Sequence, residues 1–203
     1  MAQQERAKRT HEAVLDAAAE EFAARGYTNT NLSHVAARTG MTKGALYGHF
    51  ISKEALAGAL VRHLEQVWGQ IAQQIEGAQE SPVQVLKNVT CELVARLDRD
   101  IRVNAALRLV LESSRTEGRP DLLVDVERLV FRLVVAAQRV DELDPRHPPE
   151  VVAEVLVTVI FGTHYLGAVC EERDLVRRIR AALDILLPAL GAPPARTPGE
   201  LTA

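Results

Sequence analysis

A chain of 203 residues, 47% hydrophobic and 25% charged, can bury a sizeable core and is too apolar for the disordered class. Aromatics at 4%, amid abundant alanine, leucine, arginine and glutamate, favour helix over sheet. The net charge of -3 hides an asymmetry: residues 1–53 hold seven Lys/Arg against five Asp/Glu, leaving 17 against 22 for the rest, a slightly basic head on an acidic body.

A first helix is expected over about Glu5 to Arg25, where Val14, Ala18 and Phe22 fall four apart beside Leu15 and Ala19. Gly26 should stop it. Asn31 opens a short helix from Leu32 to Thr39, with Leu32, Val35 and Ala36 inward, and Gly40 breaks it. Thr42 can cap a third helix, about Lys43 to Gly48, and Ser52 a fourth running to about Glu76.

Ser81-Pro82 opens Val83 to Asp98; Ile101 to Ser114 follows, ended by the polar stretch SSRTEGR. Pro120 starts a long helix to about Val140, Pro148-Pro149 an apolar one to Cys170, and Asp174 caps a last one to Leu190. The fold class is therefore all-α with about nine helices. Val151 to Cys170 is long enough to span a bilayer, but Glu154, His164, two threonines and the lack of aromatic belts favour burial in a bundle or dimer interface. Cys91 and Cys170 have no metal-type spacing and are expected as reduced thiols. No charged-then-apolar leader opens the sequence, so a cytoplasmic protein is expected.

Thr28 to Lys53 carries the chemistry. Two short helices around a glycine turn are the minimum for a helix-turn-helix. Gly40 can take the positive φ of the turn, Met41 can plug the angle between helices, and Ala45 and Leu46 would face inward. Thr42, Lys43, Gly44, Tyr47, Gly48 and His49 then face outward. Hydroxyls, an ammonium and an imidazole suit phosphates and base edges, and glycines let backbone approach DNA. A tight turn inside a helical bundle is the alternative. Arg6, Lys8 and Arg9, preceding the first helix, form either an arm for DNA or a solvated terminus.

The run GYTNTNLSHVAARTGMTKGALYGHFISKEAL resembles the DNA-binding signature of the TetR family of bacterial repressors. The resemblance implies a DNA-binding domain at 1–51, a ligand-binding and dimerisation domain at 52–190, and a flexible tail at 191–203. It implies Tyr47, His49 and Lys53 on phosphates, with Thr42, Lys43 and Gly44 facing the groove. It implies a homodimer through the last two helices, where Gly162 and Gly167 would allow close approach. Its partners would be double-stranded, near-palindromic operator DNA and a small apolar ligand that releases it, with no cofactor.

Within that family, KGALYGHF, KEAL and FGTHYLG are most similar to the γ-butyrolactone receptors and pseudo-receptors of actinobacteria, which implies a butyrolactone, butenolide or antibiotic-like signal. Those receptors usually carry a tryptophan in the long central helix. Val124 to Glu127 holds none here and the one tryptophan is Trp68, so the ligand stays open. Ligand-pocket candidates are Trp68, Phe131, Thr163, His164 and Tyr165, each able instead to be ordinary core or dimer packing. No nucleophile, P-loop or metal-ligand motif points to an enzyme. The competing reading is a ligand-independent architectural DNA-binding dimer.

Overall fold

The computed structural model describes residues 2–75, 79–117, 120–169 and 174–192. Among them run nine helices: α1 (Ala2–Asn29), α2 (Leu32–Arg38), α3 (Lys43–His49), α4 (Lys53–Ile75), α5 (Pro82–Arg99), α6 (Ile101–Glu117), α7 (Asp121–Arg139), α8 (Pro149–Val169) and α9 (Leu175–Ala189). The caps read from sequence do their work. Asn31, Thr42, Ser52 and Asp174 each accept a backbone N–H two or three residues on, satisfying donors that an open helix end leaves free.

Four expectations need correction. α1 begins at Ala2, so Arg6, Lys8 and Arg9 lie within the helix rather than before it. Gly26 does not stop α1 but kinks it, with φ 72° and ψ -178°, and one more short piece follows to Asn29. Ala45 is exposed: in a two-turn helix Leu46 alone faces the core, and its neighbour lies about 100° round the axis. The stretch from Ser113 stays helical to Glu117, and the hydroxyls of Ser113 and Ser114 donate back to the carbonyls of Val110 and Leu111 within the helix. Polarity there marks a helix face, not a break.

The chain forms two compact units. The first holds Met1–Glu76 and Glu92–Asp125, the second Gly77–Cys91 and Val126–Ala203. In the first, α6 packs along both α1 and α4. Val14, Ala18 and Phe22 from α1, Leu56 and Leu60 from α4, and Val103 and Ala106 from α6 are fully buried. Arg102 of α6 reaches across to Glu12 and Asp16 of α1, each at 2.6 Å, so the helices are tied at their polar edge as well.

In the second unit, Val130 and Val134 of α7, Leu156 and Ile160 of α8, and Ile179 and Leu183 of α9 form the core. Gly167 lets α8 pass close to α9: a Cβ there would meet Leu175 Cδ2 at 2.1 Å. At Gly162 a Cβ would meet nothing within 4 Å. α8 is long and apolar enough to cross a membrane, yet Val151, Val155, Tyr165 and Leu166 on it are exposed, as is Ile185 on α9. Cys91 is a free, half-buried thiol; Cys170 and the tail from residue 193 lie outside the described residues.

Candidate nucleic-acid interface

Two short helices meet at Gly40, whose φ of 67° is the left-handed turn a side chain would resist. Leu32, Val35 and Ala36 of α2 and Leu46 of α3 are buried, and Phe50 closes the motif at 6% exposure. The ring of His11 stacks on Phe50 at 4.4 Å, which seats the end of α3 on α1. A helix anchored so narrowly presents most of its surface outward.

That outward surface holds Thr42, Lys43, Gly44, Tyr47 and Gly48, all exposed, with His49 half-buried 6.4 Å from His11. Tyr47 is 42% exposed, so its ring is not core. The Thr42 oxygen accepts from Ala45 N–H at 3.2 Å, which leaves its own O–H free to donate outward. Lys43 makes no hydrogen bond or ion pair among the described residues. By contrast Arg25 and Arg38 are held by Glu21, and Arg38 also by Glu20.

The glycines of α3 are informative. A Cβ on Gly44 or Gly48 would meet nothing within 4 Å. Glycine in a helix costs up to about 1 kcal/mol relative to alanine, and the interior of this protein asks for no such concession.

Between the end of α1, the outer face of α3 and the first turn of α4 lies a cleft of about 540 Å³. Lys43, Tyr47, Ser52 and Lys53 line it, together with Thr28, Asn31 and Ile51, which sequence reasoning did not assign to the interface. Ile51 is 84% exposed, an apolar tip beside the cations. Asn31 was legible only as a cap. Lys53 is more constrained than its sequence position suggests. Its Nζ donates to Thr28 O at 3.3 Å and sits 4.6 Å over the Tyr27 ring, leaving donors to spare. The first residues of α4, Lys53 and Glu54, line the same cleft with the capping Ser52, so the positive end of the helix dipole lies at its edge.

Tyr27 holds this region to the rest of the first unit. Its backbone N–H donates to Glu112 Oε2 at 2.7 Å, and its phenol donates to Glu54 Oε1 at 2.7 Å. Burial, then the Glu54 bond and charge, push the phenol up to about 12. The same bond holds Glu54 below the usual carboxylate range. Glu112 is held in turn by Arg108, which also donates to Ala23 O at 2.6 Å. Sequence showed Gly26-Tyr27 only as the close of a helix.

The five ligand candidates do not share one compact unit. Trp68 is buried in the first, at 7% exposure; Phe131, Thr163 and His164 are half-buried in the second. Tyr165 is 68% exposed.

Comparison with known proteins meets this geometry. The model for "Bacterial regulatory proteins, tetR family" matches residues 14–60, from mid-α1 through α3 into α4. The A-factor receptor protein of Streptomyces griseus is 30% identical over 95% of this chain and 68% of its own length. A solved γ-butyrolactone receptor superposes with a TM-score of 0.78 at 26% identity, covering 93% of this chain and 90% of that one. CprB of Streptomyces coelicolor, solved in complex with its operator sequence, superposes at 0.69 with 26% identity, over 92% of this chain and 98% of that one.

Proposed function

The chain belongs to the TetR family of bacterial regulatory proteins, and from that premise we propose a ligand-responsive transcriptional repressor that binds a near-palindromic operator as a homodimer. The observation that carries the DNA reading is α3: two uncrowded glycines beside Thr42, an unpaired Lys43 and an exposed Tyr47 on one open face. Residues 1–51 supply that face, and 52–190 supply ligand binding and pairing.

On this reading Thr42, Lys43 and Gly44 face the major groove, while Tyr47, His49 and Lys53 hold phosphates. Pairing is supported by the exposed apolar side chains of α8 and α9, which a two-fold mate would cover. A covering partner also accounts for a helix apolar enough for a membrane in a protein that works on cytoplasmic DNA. The releasing ligand is a small, mostly apolar signal of butyrolactone, butenolide or antibiotic-like type; the relatives' names support the class. Sequencing of duplex DNA selected by the purified protein tests the reading. An enriched site with two-fold half-sites is expected, and a pool with no enriched sequence would overturn it.

A further inference from the structure

A second cavity lies in the first unit, adjoining the first cleft, with which it shares Thr28 and Glu54. It is a half-open groove of about 770 Å³ between the end of α1, the outer face of α4 and α6. That is the size of a small-molecule site. Its apolar wall is Ala57, Gly58 and Val61 of α4, one and two turns past the cleft-lining Glu54, facing Leu109 and Val110 of α6.

Three charged side chains line the cavity among the described residues: Glu54, Glu112 and Arg62. Two are already engaged. Glu112 accepts from Tyr27 N–H and from Arg108 Nε, and Glu54 accepts from the Tyr27 phenol. Arg62 makes no hydrogen bond or ion pair among the described residues. Its guanidinium folds back over Gly58, with Nη1 3.3 Å from where a Cβ on that glycine would stand. A fork of N–H donors, unpaired among the described residues and lying beside an apolar wall, is complementary to one carboxylate on an apolar body.

We propose that this cavity binds an amphipathic monocarboxylate, its acid group on Arg62 and its apolar body against Val61, Leu109 and Val110. The site deepens the ligand-responsive reading and rests on it for its biological meaning, not for its chemistry. An occupant touches Tyr27 and Glu54, and Glu54 is next in sequence to Lys53 at the phosphate cleft. Bound carboxylate therefore changes how firmly the first turn of α4 is held, and operator and carboxylate alter each other's affinity reciprocally.

Calorimetric titration of the full chain with octanoate, octanol and octylamine tests the site. Octanoate should saturate one site per chain and bind at least about tenfold tighter than octanol or octylamine, since only it can use the guanidinium. Arg62→Gln should cost octanoate about tenfold and leave octanol unchanged, and Ala57→Phe should remove binding by filling the cavity. Octanoate binding no tighter than octanol, or indifferent to both substitutions, would overturn the proposal. Operator affinity in the same samples separates the two readings. Arg62-dependent binding that leaves the operator untouched supports the site and counts against ligand release. Release by some other compound, with no octanoate binding, does the reverse.

Discussion

The phenol of Tyr27 donates a 2.7 Å hydrogen bond to Glu54 Oε1, joining the end of α1 to the first turn of α4 across 27 residues of sequence. The residues proposed to contact DNA, Thr42 to Lys53, all lie between those two in sequence. The bond holds the helix-turn-helix as one piece against α4, while Tyr27 N–H on Glu112 holds it against α6.

The Tyr27 phenol should titrate near pH 12, well above the ordinary value of 10.0. Because the folded value is raised, the stabilisation it brings is complete below about pH 10 and is lost as pH rises toward 12. A near-ultraviolet titration of the protein minus that of Tyr27→Phe should show this late phenol. Glu54→Gln should bring it earlier, since the Glu54 bond and charge both hold the proton on. A Tyr27 titration unmoved by Glu54→Gln would show the bond is not formed.

Gly26→Ala should be among the more damaging single-methyl changes in the chain. At φ 72° and ψ -178° the backbone sits where essentially only glycine goes, and the new Cβ would stand 2.2 Å from Glu112 Oε1. A loss of about 1–3 kcal/mol is expected. Thermal or urea unfolding gives the number, and a neutral result would mean that Glu112 does not occupy the kink.

Asp100 joins α4 to the start of α6: His63 Nε2 lies 2.8 Å from one carboxylate oxygen, and the other accepts from Arg102 N–H at 2.9 Å. Burial raises this carboxyl, but the His63 and backbone bonds outweigh it, so it ends below its ordinary 3.8. The stability it adds is thus present above about pH 4 and lost on acidification. Asp100→Ala should cost about 1–2 kcal/mol at neutral pH, as for a lost helix cap. The gap in melting temperature from the unmodified chain should narrow below pH 4. A gap independent of pH would assign the loss to packing.

Helices were legible because their punctuation is local. Asn31, Thr42, Ser52 and Asp174 each act within three residues of themselves, and Leu32, Val35 and Ala36 show their spacing directly. The bonds of Tyr27 were not legible, since Glu112 lies 85 residues away and nothing in a helix end announces its distant partner. Ala45 was misplaced for a related reason: two turns of helix leave room for one inward residue, and only the packed structure shows that Leu46 takes it. Within the interface, residue types and exposure agreed for Thr42, Lys43, Gly44 and Tyr47. Arg62 was passed over because an arginine on a helix surface has no sequence mark that tells a free guanidinium from a paired one.

Lys43→Gln and Tyr47→Phe should separate phosphate contacts from base contacts. Lys43 has no partner to lose among the described residues and Tyr47 is exposed, so neither change should alter stability by more than about 0.5 kcal/mol. If either group holds a phosphate, affinity falls for all sequences alike. For Lys43 the slope of log affinity against log salt also drops by about one. Fluorescence anisotropy across a salt series reads both. The proposed placement predicts a uniform loss for Tyr47→Phe and a loss concentrated at one base position for Lys43→Gln; a uniform loss for Lys43→Gln would move Lys43 from base edge to backbone.

α3 is proposed to be small because DNA must come close to it. Gly44→Ala with Gly48→Ala tests this most directly, because a methyl at either position meets nothing within 4 Å of the protein. The doubly substituted chain should melt at the same temperature or higher, with up to about 1 kcal/mol gained per helical glycine replaced. Its affinity for the selected operator, measured by gel shift at fixed salt, should fall at least about tenfold. A more stable protein that binds its operator as tightly as before would contradict the placement of α3 in the groove.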